Sequence, residues 1–80
     1  MAATTRKLNG PAVRALREAL GVKHGHFARD TQVSTGYLSN IEAGRKQPDP
    51  AVIRRFATRL GVPLDAITYP VADTAESVPA

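Results

Sequence analysis

Apolar residues recur at three- and four-residue intervals through most of the chain, the period of amphipathic helices, and no segment gives a convincing strand. The clearest stripe is Ile53, Phe56, Ala57 and Leu60, spaced i, i+3, i+4, i+7 behind a start at Asp49 and Pro50. It stops at Gly61-Val62, and a glycine followed by an apolar residue is the sequence of a Schellman ending. The same ending stands at Gly21-Val22. It closes a first helix with the stripe Val13, Leu16 and Leu20, started by Asn9 or Gly10 with Pro11 at the first helical position.

Two shorter helices are expected between these. One runs from about His24 to Asp30 and offers Phe27 and Ala28 to a core; the other is capped by Ser34, turns Leu38 and Ile41 inward and stops at Gly44. Pro63 opens a short fifth helix that brings Leu64 and Ile67 back to the core. The fold expected is all-α, a compact five-helix domain over residues 11–67. A basic arm over 1–10 precedes it, and a flexible acidic tail over 68–80 follows, where small, apolar and proline residues show no period.

Eighty residues hold one domain, with a thin core that must come from helix packing alone, because there is no cysteine for disulfides, thiolate metal sites or cysteine nucleophiles. No apolar run approaches the roughly 20 residues that span a bilayer, and no apolar segment follows Met1 to Lys7 as a signal peptide needs. A cytoplasmic protein without membrane attachment is expected. The net charge of +4 is unevenly spread: residues 1–67 carry eleven basic and five acidic residues, a net of +6, and residues 68–80 carry only Asp73 and Glu76. A positive body suggests a polyanionic partner.

A short helix, a tight turn and a second short helix form the geometry that sets one helix in a DNA groove. Ala28 is the small residue needed where the two helices cross, Leu38 and Ile41 pin the second helix from below, and Thr35, Gly36, Tyr37, Ser39 and Asn40 give it a polar outer face. Asn40 can make paired hydrogen bonds to adenine, and Thr35 can hydrogen-bond or touch a thymine methyl. Gly36 lets backbone approach DNA closely. Arg45 and Lys46 follow a helix stop, in a loop where they can neutralise phosphates without sequence preference.

The order and spacing of Leu16-Arg17-Glu18, Phe27-Ala28, Val33-Ser34, Leu38-Ser39, Ile41-Glu42, Gly44, Pro48 and Leu60-Gly61-Val62 resemble the Cro/repressor-type (Xre-like) helix-turn-helix regulators. That resemblance, covering roughly Val13 to Ile67, implies a lambda-repressor-like fold with helix 3, about residues 34–43, as recognition helix. It implies base contacts from Thr35, Gly36, Ser39 and Asn40, phosphate contacts from His24, Tyr37, Arg45 and Lys46, and a buried ion pair of Arg17 with Glu42. The sequence departs from the family at His24, commonly glutamine, and at Gln32, usually glycine.

Some cations have a plainer reading. Arg54, Arg55 and Arg59 fit a solvated outer face of the fourth helix, and Arg6 and Lys7 are equally an arm on DNA or a solubilising end. His24 and His26 stand two apart, so a helix puts them on different faces; no metal and no other cofactor is expected. The function implied is a transcriptional regulator, a repressor of phage, plasmid or bacterial promoters, with double-stranded DNA as partner and no small-molecule ligand. An antitoxin-like protein that autoregulates its promoter is the alternative. A weak homodimer, firmer on DNA, is expected through Leu64, Ile67 and Tyr69. No phosphate loop, nucleophile–base pair or carboxylate pair suggests an enzyme.

Overall fold

The computed structural model describes residues 4–72. Asp73 and Glu76, the acids of the expected tail, lie outside the described residues. The element order is β1 (Thr4–Leu8), α1 (Gly10–Ala19), α2 (His24–Thr31), α3 (Thr35–Glu42), α4 (Pro50–Leu60), a single 3-10 turn (Leu64–Ala66) and β2 (Thr68–Ala72).

Every helix stops, and α1 and α3 also start, where capping chemistry lies. Asn9 accepts the Ala12 N–H on its side chain at 3.1 Å and Pro11 follows inside α1. At all four C-termini a backbone N–H reaches five residues back, the bond that defines a Schellman ending: Val22 to Arg17, Val33 to Ala28, Arg45 to Asn40 and Val62 to Ala57, at 2.9–3.1 Å. The turning residue of α2 is Gln32, at φ 65 the one non-glycine with positive φ among the described residues. A side chain in that conformation costs about 1–2 kcal/mol.

The core holds Val13, Phe27, Ala28, Leu38, Ile41, Ile53, Phe56, Ala57 and Leu60, with Leu8 and Ile67 from beyond the helices. Phe27 and Phe56 meet edge to face, with centroids 5.0 Å apart, and join α2 to α4. Buried Thr31 satisfies its hydroxyl by donating to the Phe27 carbonyl at 2.7 Å.

Three expectations need correction. The fold has four α-helices and a two-stranded ribbon, not five helices: residues 4–8 and 68–72, read as arm and tail, pair antiparallel with Leu8 opposite Thr68 and Thr4 opposite Ala72. The ladder continues inward as Asn9 N–H to Ile67 carbonyl at 2.8 Å, so the residues flanking the helical body close it like a clasp. The stretch after Pro63 is one 3-10 turn because the chain must enter β2 at once; Ile67 is fully buried at the ribbon's root, whereas Leu64 is 40% exposed. Leu20, placed on the inner stripe of α1, is 55% exposed because α1 ends at Ala19 and the chain turns away there.

Candidate nucleic-acid interface

Ser34 fixes the start of α3: extended at φ −74 and ψ 157, it accepts the Tyr37 N–H on Oγ at 3.0 Å. One face of α3 is then buried through Leu38, Ile41 and Glu42, while Thr35, Gly36 and Ser39 are exposed and Tyr37 and Asn40 are half-buried. The polar face therefore stands outward on a helix whose other side is locked into the core. A β-carbon on Gly36 would meet nothing within 4 Å, so the backbone there is open to a close approach.

The outward side chains are tied to their flanks. Ser39 Oγ and His24 Nε2, at the first position of α2, are 3.1 Å apart. Asn40 Oδ1 accepts from Arg45 Nε at 3.0 Å, across the α3 stop at Gly44 (φ 82). Arg14, His24, Ser39 and Arg45 border a cleft of about 310 Å³ between α1, α2 and α3. Arg14 is held charged more firmly than an ordinary arginine by its hydrogen bond to Glu18, at 3.0 Å. Lys46 is exposed beside Arg45. Arg14 and Arg45 thus put positive charge on the cleft beside α3, with Lys46 next in the exposed loop, an arrangement suited to a phosphate backbone.

Arg17 and Glu42 stand beneath this cleft, each only 7% exposed. Arg17 donates to both carboxylate oxygens, Nε to Oε2 at 2.8 Å and Nη2 to Oε1 at 3.2 Å, and uses Nη1 on the Val22 carbonyl at 2.9 Å. One guanidinium fixes the angle of α3 to α1. Gly10 brings the same two helices together more tightly, since a β-carbon there would fall on the Ile41 carbonyl oxygen.

Other sequence-derived candidates sit elsewhere. Arg6 lies in β1 and donates to Thr68 Oγ1 at 2.8 Å and to the Thr68 carbonyl at 3.2 Å, with Asp65 at 3.7 Å; Lys7 is exposed on the same strand. Arg55 holds the Thr31 carbonyl at 2.8 Å and Arg59 holds Asp30 at 2.8 Å, so two of the three α4 arginines tie α4 to the end of α2. Ile67 cannot serve a dimer surface, being wholly buried; Leu64 and Tyr69 are the exposed apolar residues of that region. The sequence marked Gly10 only as a possible start of α1 and gave no sign of its packing against α3 or of the part played by Gln47, because both act on partners more than thirty residues away. Gln47 receives the Leu8 N–H on Oε1 at 2.9 Å and donates Nε2 to the Leu8 carbonyl at 3.0 Å.

The two-helix unit and its core place the chain among helix-turn-helix proteins, and comparison with known sequences agrees. The profile of the family described as "Helix-turn-helix domain" matches residues 10–68, and the chain belongs to that family. Transcriptional regulator ClgR of Mycobacterium tuberculosis is 36% identical over 67 residues, which are 84% of this chain and 60% of that protein. The chain thus spans about 60% of the length of the curated relatives it matches. Among solved structures, the clp gene regulator ClgR from Corynebacterium glutamicum superposes with a TM-score of 0.68 at 34% identity, over 71% of this chain and 62% of that one. The restriction-modification controller protein C.AhdI from Aeromonas hydrophila shares the fold, with a TM-score of 0.68 at 24% identity over 71% of this chain and 86% of that one.

Proposed function

We propose that this chain is a sequence-specific, double-stranded-DNA-binding transcriptional regulator, acting in the cytoplasm as a repressor of phage, plasmid or bacterial promoters. The observation that carries the reading is the outward polar face of α3, set on a helix whose opposite face is buried and bordered by His24, Arg45 and Lys46. Residues 34–43 lie in the major groove. Thr35, Gly36, Ser39 and Asn40 meet base edges, and His24, Tyr37, Arg45 and Lys46 meet phosphates that fix the register. The relatives named as transcriptional regulators support it.

Two copies on a two-fold symmetric operator would meet through Leu64 and Tyr69, 40% and 43% exposed. That apolar surface is small, so pairing in solution is weak and pairing on DNA is firmer. The test is selection of bound duplexes from a random pool. One short motif is expected, degraded at single positions by Thr35→Ala or Ser39→Ala. Lys46→Ala is expected to weaken all duplexes alike and lower the salt slope by about 1. Absence of any motif contradicts the reading.

A further inference from the structure

We propose that Arg45 sets the base preference of Asn40: by holding the carboxamide oxygen, it makes Asn40 a donor-only reader that selects guanine over adenine. The proposal rests on the placement of α3 in the major groove given above.

The contact is built into the end of α3. In a Schellman ending, the residue two past the cap packs against the residue that accepts its N–H, and that contact is usually apolar. At three of the four stops here the residue is a valine, Val22, Val33 or Val62, and each packs against the core. At the end of α3 the same position is Arg45, whose N–H bonds the Asn40 carbonyl at 2.9 Å. The apolar contact is replaced by a polar one, Arg45 Nε to Asn40 Oδ1 at 3.0 Å. Backbone geometry therefore brings the two side chains together before any DNA arrives.

Chemistry fixes which way the amide faces. A guanidinium has donors and no acceptor, so the oxygen of Asn40, not its nitrogen, must point at Arg45. The Nδ2 group has no acceptor among the described residues. Its two hydrogens are what Asn40 offers outward.

Adenine shows an acceptor at N7 and a donor at N6 in the major groove, so the paired adenine contact needs the oxygen that Arg45 already holds through one of its two lone pairs and orients toward itself. Guanine shows two acceptors, N7 and O6, and suits a donor-only amide. Cytosine shows only a donor and is rejected. The other nitrogens of Arg45 remain available to a phosphate, so one side chain both anchors the backbone and sets a neighbour's specificity.

The experiment is duplex selection with the wild-type chain, Asn40→Ala, and Arg45→Met, which keeps the stem and loses the donors. Asn40→Ala identifies the base position that Asn40 reads. At that position the wild type is expected to favour guanine over adenine by about tenfold, and Arg45→Met is expected to move the preference to adenine while other positions hold. Adenine chosen by the wild type overturns the proposal. So does guanine kept by Arg45→Met with a uniform loss of affinity, or an Asn40→Ala variant with an unchanged motif. A wild type that enriches no motif defeats the placement of α3 itself, a result distinct from the other three. Arg45 is exposed and outside the core, and thermal melts verify that each variant is folded.

Discussion

Arg17 and Glu42 meet through two hydrogen bonds in a buried setting, and the third nitrogen used by that guanidinium holds the Val22 carbonyl at the end of α1. The pair links helix packing to the orientation of α3, since losing it frees the angle at which α3 presents its polar face. Removing one partner strands a buried charge, and Glu42→Ala is expected to cost on the order of 3–5 kcal/mol. Arg17→Lys keeps the charge but loses the fork that makes these three bonds, so it is also expected to destabilise the fold. Urea denaturation measures both; a Glu42→Ala midpoint equal to the parent's would contradict the buried-pair account.

Gly10 and Gly25 separate two effects of adding one methyl group. At Gly10 the new carbon collides with the Ile41 carbonyl oxygen and lies 3.1 Å from Glu42 Cα, both backbone atoms that cannot swing aside. Gly10→Ala is expected to destabilise by about 1–3 kcal/mol. At Gly25 nothing lies within 4 Å, and Gly25→Ala is expected to stabilise by about 0.5–1 kcal/mol through helix propensity. Opposite signs in paired urea melts are the expected result. Equal signs would show that α1 and α3 are not in contact at Gly10.

The residues that made the helices legible in the sequence act within a few positions of themselves. Asn9, Ser34, Gly21, Gly44 and Gly61 mark ends by local capping, and Ile53, Phe56, Ala57 and Leu60 share one face through helical period alone. The ribbon was hidden because its strands lie some sixty residues apart, and neither Thr4–Leu8 nor Thr68–Ala72 alternates. Pro70 also reads against a strand. It is tolerated because Asn9 N–H bonds Ile67, which fixes the ladder parity and turns the nitrogen of Pro70 to the outer edge, where no donor is needed. Ile67 was half legible: its apolar nature pointed to burial, but only the clasp shows what covers it. For the site, the polar face of α3 could be read from the sequence. The pairing of its readers with His24 and Arg45 depends on the turn geometry at Gly44 and on the crossing of α2 with α3.

Gln47 acts as a substitute strand at the edge of β1, giving both an acceptor and a donor to Leu8. Gln47→Ala leaves two part-buried backbone groups without partners and is expected to cost about 1–3 kcal/mol. Gln47→Glu keeps only the acceptor and falls between. Hydrogen exchange at the Leu8 amide is the sensitive readout, expected to speed markedly in Gln47→Ala while the α4 amides change less. Unchanged exchange at Leu8 would contradict the Gln47 contact.

Asp30 gives a pH dependence whose sign follows from its partners. The hydrogen bond from Arg59, and a second from Arg29, hold its carboxyl below the ordinary pKa against the opposing effect of partial burial. The folded state therefore binds the proton less readily than the unfolded chain. The contribution is present above the unfolded value of about 3.9 and is lost as pH falls through the folded one. Asp30→Asn is expected to melt slightly lower than the parent near neutral pH and to converge with it in strong acid. The gap is small because the pair is exposed to water. A gap that widens in acid would contradict the sign.

Specific readout by α3 is tested most directly by the ratio of two affinities at one salt concentration. Fluorescence anisotropy at about 0.15 M salt compares the duplex enriched by selection with a scrambled duplex of the same length and composition. The selected duplex is expected to bind about a thousandfold more tightly or better, with most of that advantage lost in Asn40→Ala. A ratio near one, with both duplexes weakening together as salt rises, would contradict it.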